Sequence, residues 1–235
     1  MNEAKHRFFC ENIDSGYLSE EESIHALRVL RLKSGDAIQV MDGKGRLCFA
    51  TIVDDNKKGL SFSITQNDTI LQTDFDIHIA IAPTKNIDRF AFFLEKVTEI
   101  GVSRITPILS KNSERRDLKI DKLRKNLIAA MKQSGNLFLP IIEEPIEITK
   151  FLSGITTNKS KKLIAHCNDD EVKSPLKNQI PSDKKVIILI GPEGDFTLEE
   201  VNLAKQMDFY PVSLGKTRLR TETAGIIACH TVHLI

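Results

Sequence analysis

Two stretches near the end of the chain decide the fold. They are Leu189-Ile190-Gly191-Pro192-Glu193-Gly194-Asp195-Phe196 and Ser213-Leu214-Gly215-Lys216-Thr217-Arg218-Leu219-Arg220-Thr221-Glu222-Thr223-Ala224-Gly225. Each follows an apolar run short enough for a buried strand, and each leads into a helical pattern. Loops of this kind sit at the carboxyl edge of an open α/β sheet, where such folds bind ligands, so the two read as walls of one pocket. Gly191-Pro192-Glu193-Gly194 is neither the G-x-G-x-x-G of a dinucleotide site nor the G-K-[ST] of a P-loop. Pro192 fixes φ and removes a donor, which makes a rigid turn that presents its remaining backbone groups. The second loop adds Lys216, Arg218 and Arg220, so the pocket faces an anion. Thr221 and Glu222 suit the start of a helix, whereas arginines there oppose the macrodipole and serve a phosphate or a substrate carbonyl better.

The same strand–helix alternation extends back to residue 75. Strands are expected at Phe75–Ala82, Arg104–Leu109, Lys162–His166, Val186–Ile190 and Tyr210–Leu214. Helices are expected at Asp88–Ile100, Asp121–Gln133, Leu198–Met207 and from Glu222 onward. The stripe of Phe90, Phe93, Leu94 and Val97, stopped by Gly101, is that of a helix lying on a sheet. Before residue 70 the grammar differs. A short strand at 6–10 and a helix from the Ser19-Glu20-Glu21-Glu22 capping pattern to about Arg31 precede closely spaced strands at Ala37–Met41, Arg46–Val53 and Leu60–Thr65. Turn residues at 42–45 and 54–59 join these strands, which suits a small barrel better than a parallel sheet. The polar stretch Gln66–Asp74 reads as a linker. The expected organisation is therefore a β-rich domain over 1–72 and an α/β domain over 73–235.

Composition sets few limits. The 235 residues carry 33 Lys and Arg against 32 Asp and Glu, a net charge of +1. Residues 111–125 are locally basic and could steer a polyanion. Cys10, Cys48, Cys167 and Cys229 show no CxxC pair and no ligand spacing, so they read as reduced thiols with no metal site. The N-terminus has no apolar region of a signal peptide, and no run is long enough to span a bilayer; a soluble cytoplasmic protein is expected.

Ile190-Gly191-Pro192-Glu193-Gly194 and the L-G-x-x-x-L-R-T-E-T-A of 214–224 together resemble the SPOUT superfamily of RNA methyltransferases, and within it the RsmE family. Those enzymes make N3-methyluridine in 16S ribosomal RNA. Further likeness lies in His6-Arg7-Phe8-Phe9, in His25 to Arg31 with Gly35-Asp36, in Lys85 and Glu95 to Val102, and in Ala130 to Gly135. The resemblance implies a PUA-like N-terminal barrel and a C-terminal domain with a trefoil knot around its parallel sheet. It implies a homodimer, S-adenosylmethionine as cofactor, and 16S rRNA, free or within the small subunit, as partner. Gly191, Pro192, Glu193 and Gly194 would line one side of the cofactor, and Leu214, Gly215, Leu219 and Thr221 the other. Arg220 and Glu222 would stand beside the methyl-transfer point. Departures are Asp195 where the family has a second glycine, Thr217 in place of an arginine, and Asn136 in place of another.

Uridine N3 is a poor nucleophile until its proton leaves, so a group must accept that proton or stabilise the uracil anion. Arg220 suits the anion, and Glu222 is the nearest carboxylate for base or positioning work. His6, His25 and His166 are alternative bases. The N3 edge must be unpaired or flipped out to be reached. Arg7, Arg28, Arg31, Arg115 and Arg116 are candidate phosphate contacts. Two other readings keep the same fold: a SPOUT enzyme acting on another RNA or base atom, and a noncatalytic RNA-binding assembly factor.

Overall fold

The computed structural model describes residues 6–56, 58–70, 73–155, 159–167 and 172–235. It divides into two compact units, Met1–Gln72 with Ile128–Leu139, and Thr73–Leu127 with Pro140–Ile235. The grouping of Ile128–Leu139 with the first unit is invisible to a single cut near residue 72. It follows from packing: Met131 and Leu137 bury against Met41, and Gly45 N–H donates to Leu137 O at 3.0 Å.

In the first unit, β1 (Arg7–Phe9), β2 (Ala37–Met41), β3 (Arg46–Asp54) and β4 (Ser61–Ile70) form a sheet in that order. β1 pairs with β2 in parallel, and the other neighbours are antiparallel. The β2–β3 turn is built as its residues suggest: Asp42 Oδ1 accepts from Lys44 N–H at 2.7 Å and Arg46 N–H at 3.1 Å. Register shifts between β3 and β4 mark bulges, which bend a sheet and increase its twist. β4 runs on to Ile70, so Gln66–Ile70 is strand and not linker; alternation with a long partner strand outweighs its polar composition. Ser19 caps α1 (Glu20–Ile24) by accepting from Glu22 N–H at 3.3 Å. The expected helix to Arg31 instead passes into a π-helical turn, His25–Val29, and Arg31 adopts a left-handed φ of 57°.

The second unit adds β5 (Asp76–Ile81), α2 (Ile87–Ile100), β6 (Arg104–Leu109), the start of α3 (Ile120–Ser134), β7 (Ile141–Ile142), β8 (Ile146–Glu147) and α4 (Ile148–Gly154). Then come β9 (Lys161–Ala165), β10 (Ser174–Pro175), β11 (Lys185–Ile190), α5 (Leu198–Gln206), β12 (Tyr210–Ser213) and α6 (Thr221–His233). The sheet order is β10-β12-β9-β11-β5-β6-β7, with β8 also on β6, and every pairing is parallel. β11, at the centre, is apolar on both faces from Val186 to Ile190, and β5 beside it is buried from Ile77 to Ile81 with His78 its one polar residue there. Ile187, Leu189, Val201, Ala204 and Phe209 form part of the core under α4 and α5. α2 and α6 pack together so closely at Gly225 that a Cβ there would stand 2.5 Å from the Phe93 ring. Parallel pairing brings the carboxyl ends of β9, β11 and β12 to one edge, and that edge carries the site.

Candidate active site

A cavity of about 780 Å³ opens at this edge, within the size range of small-molecule sites. Its walls come from three strand ends and one helix start. Ile190 to Glu193 and Asp195 follow β11; Ser213 to Leu219 follow β12; Arg220, Thr221 and Ala224 open α6. The third strand end, Ala165-His166-Cys167 after β9, closes the remaining side with Lys173. Sequence reasoning found two of these walls and missed the third. The rule that found them, a loop after a buried strand, applies equally to β9, but His166 and Cys167 carry no glycine to draw notice.

The Gly191 turn is held from every side. Thr221 Oγ1 donates to Gly191 O at 3.0 Å, Arg218 Nη2 to Glu193 O at 3.2 Å, and Asn112 Nδ2 to Gly194 O and Asp195 O at 3.2 and 3.0 Å. Lys85 N–H donates to Glu193 Oε1 at 3.0 Å. Asp195 N–H closes the turn on Pro192 O at 2.9 Å. The two glycines sit in close packing: a Cβ on Gly191 would lie 3.1 Å from the Phe196 ring, and one on Gly194 would lie 3.1 Å from Asn112 Cβ. Gly194 therefore packs outward against Asn112 and does not line the cavity, contrary to its expected role.

Across the cavity, Gly215 has φ +148° and open space around it, so conformation and not crowding selects glycine there. Ser213 Oγ donates to Gly215 O at 2.9 Å. Thr221 was a candidate helix cap, but Arg220 occupies that position and makes no side-chain cap bond. The buried Thr221 hydroxyl instead ties the start of α6 to the Gly191 turn. Glu222 is also buried and lies outside the cavity wall, with Oε2 lacking a hydrogen-bond partner among the described residues.

The charge balance of the wall follows from these bonds. Glu193 and Asp195 already accept backbone N–H groups, while Lys173 donates to His166 O at 2.9 Å and Arg218 to Glu193 O. Lys216 and Arg220 line the cavity with no hydrogen bond or ion pair among the described residues, so the open charge is cationic.

The candidate phosphate contacts divide. Arg28, within the π-helical turn, and Arg31, just after it, are exposed. Arg7 is engaged, Nε with Gln39 Oε1 at 3.1 Å and Nη1 with Lys132 O at 3.3 Å, and its guanidinium covers Gly135. Arg115 donates twice to Lys85 O, at 3.1 and 2.8 Å. Arg116 pairs with Glu147 at 2.5 Å and donates to Ser110 O at 3.3 Å. The last two therefore brace the loops around the site.

Residues 71–233 match the RNA methyltransferase domain family, and residues 18–65 match the RNA methyltransferase PUA domain. The chain belongs to the RsmE family of RNA methyltransferases. Its relatives in this family include the ribosomal RNA small subunit methyltransferase E of Rickettsia conorii, 31% identical over 93% of this chain and 89% of that one. A probable rRNA-methyltransferase from Porphyromonas gingivalis shares 37% identity and superposes with a TM-score of 0.88 over 97% of each chain. The Neisseria gonorrhoeae ribosomal RNA small subunit methyltransferase E, solved bound to S-adenosyl methionine, is 28% identical with a TM-score of 0.83 over 97% of each chain. The fold is thus the parallel-sheet α/β domain of the family with its small N-terminal PUA unit. No described helix is long and apolar enough to cross a membrane.

Proposed function

We propose that this RNA methyltransferase transfers a methyl group from S-adenosylmethionine to N3 of a uridine in 16S rRNA. The observation that carries the reading is the Thr221–Gly191 bond, which joins both glycine loops around one cavity with the unengaged Arg220 at its wall. The residues fit the cofactor: Gly215 leaves open space beside the backbone, the volume suits a nucleoside-sized molecule, and relatives have been solved with it. When bound, the cofactor supplies an electrophilic methyl on a sulfonium.

The chain's own work is alignment and charge. The Gly191 turn and the Gly215 loop, with Leu214 and Leu219, hold one reactant against the wall, so that attack is oriented before it begins. Arg220 faces the uracil carbonyls and stabilises charge as N3 loses its proton. Glu222, buried behind the wall, positions the first turn of α6 and does not act as the base. Arg28 and Arg31 contact RNA phosphates, and Arg115 and Arg116 contribute chiefly through the loops they brace. We further infer a trefoil knot and a homodimer. The knot follows from the likeness of the two glycine loops to the SPOUT superfamily. The dimer is supported by exposed Phe92 on α2 and Ile227 on α6, two helices packed side by side.

The test is methylation of 16S rRNA and of small subunits in vitro, with nucleosides identified by mass spectrometry. N3-methyluridine is expected, and another methylated nucleoside would refute the position. In single turnover at saturating RNA, Arg220→Ala should slow methylation about 10²–10³-fold, the usual cost of removing one transition-state donor. A near-normal rate would remove Arg220 from its role.

A further inference from the structure

The cavity wall contributed by β9 has no glycine motif. Ala165 is held in register with Ile190 and Val212, and Lys173 holds His166 O at 2.9 Å. At Cys167 the wall is joined to the Gly191 turn by a side chain. Asp195 Oδ2 accepts from Cys167 N–H at 2.7 Å, and Oδ1 accepts from Phe196 N–H at 2.8 Å. Both oxygens are thus committed to backbone amides, one within the Gly191 turn itself and one on the wall that follows β9. Asp195 itself sits at φ 64°, a left-handed conformation held by its N–H bond to Pro192 O and by Asn112 on its carbonyl. Aspartate is among the few residues that accept this backbone state readily. The surrounding turn therefore aims the carboxylate at the Cys167 amide.

We propose that Asp195 is a positioning residue that clamps the Ala165–Cys167 wall to the Gly191 turn and so sets the width of the cofactor pocket. This rests on the reading of the cavity as an S-adenosylmethionine site. The carboxylate makes charge-assisted bonds, which are stronger than neutral ones, and cutting the one to Cys167 removes a direct tie between the end of β9 and the Gly191 turn. Cofactor binding then has to order that wall again, which weakens affinity without altering the residues at the transferring atom.

Asp195→Gly is the informative variant, because glycine adopts φ 64° freely and the turn survives while the clamp is lost. Asp195→Asn keeps the shape, tolerates the same backbone, and presents only one acceptor oxygen for two amides. On the full-length protein, exchange of the Cys167 amide proton measured by NMR should accelerate in both variants. Calorimetry should show S-adenosylmethionine affinity reduced about tenfold in Asp195→Gly, equivalent to about 1.4 kcal/mol. KM for the cofactor should rise in step, with kcat within about twofold and RNA affinity unchanged, the signature of lost uniform binding. Unchanged Cys167 exchange, or faster exchange with unchanged cofactor affinity, would overturn the clamp. A fall in kcat as large as the rise in KM would overturn it too. If the unaltered protein binds no S-adenosylmethionine, the cofactor reading fails, while Cys167 exchange still decides whether the clamp exists.

Discussion

The two glycine loops look alike in sequence and are built in opposite ways. The Gly191 turn is surrounded: Asn112, Lys85, Thr221 and Arg218 hold its backbone or its glutamate, and both of its glycines stand in crowded space. The Gly215 loop is exposed from Gly215 to Arg218, with open space at its glycine and its own Ser213 as the main tie. One wall is a fixed template, and the other is free to adjust. That division suits an enzyme that must hold a small cofactor in one geometry yet admit a nucleotide from a large RNA. Preorganisation raises affinity on the first side, and adaptability keeps the second accessible.

The strongest way to break this contrast is to disturb the fixed wall from within. Gly191→Ala would place a Cβ 3.1 Å from the Phe196 ring, which is buried in the core, and 3.2 Å from Asp195 Oδ1, which is bonded to the Phe196 N–H. Overpacking of this kind costs about 1–3 kcal/mol and has no soft neighbour to absorb it. Cofactor affinity should fall at least about tenfold, and the melting temperature should drop, both readable by calorimetry. Equal cofactor affinity in Gly191→Ala would show that the turn is less rigid than its bonds imply.

An effect of similar size on stability, but smaller on cofactor affinity, should follow from separating the loops without crowding either. Thr221→Val keeps the shape and removes the only side-chain donor to Gly191 O among the described residues, leaving a buried carbonyl without that partner. The cost expected is about 1–3 kcal/mol in unfolding free energy, measured by urea denaturation. If stability is unchanged while cofactor affinity falls, the bond belongs to the pocket alone.

How much of this was legible beforehand depends on what each feature needs. Strand–turn–helix segments with strong local patterns, such as Val186 to Phe196, were legible because apolar runs and turn residues act locally. The capping role of Ser19 was legible for the same reason. Gln66–Ile70 misled because its polar residues suit a linker, and only its pairing with β3 makes it a strand. Short β7 and β8 were missed because two-residue strands have no period to detect. α4 was missed as well; its three buried residues, Ile148, Phe151 and Leu152, make a stripe only one turn long. The pocket was half legible. Its glycines announced two walls, but Asn112 and Cys167 are ordinary residues whose roles arise from distance alone: 82 and 28 positions separate them from Gly194 and Asp195. Thr221 was read as a cap because its type and place in the sequence fit one, and only the helix start one residue earlier gives it a different partner.

The smallest expected effect tests the adjustable wall. Lys216 is exposed, lines the cavity and makes no hydrogen bond or ion pair among the described residues, so nothing in the fold depends on its position. Its charge can act only at the cavity mouth, on an anionic partner. Lys216→Ala should leave melting temperature unchanged and cofactor affinity within about twofold, because a solvated cation contributes little to a nearby site. Its loss should appear in RNA binding, where the slope of log affinity against log salt should flatten by about 0.7, the value for one contact to a single-stranded phosphate. A shift in cofactor affinity as large as that expected of Gly191→Ala would mean that the Gly215 loop is also a template. In that case the two loops would differ in their bonding but not in their function.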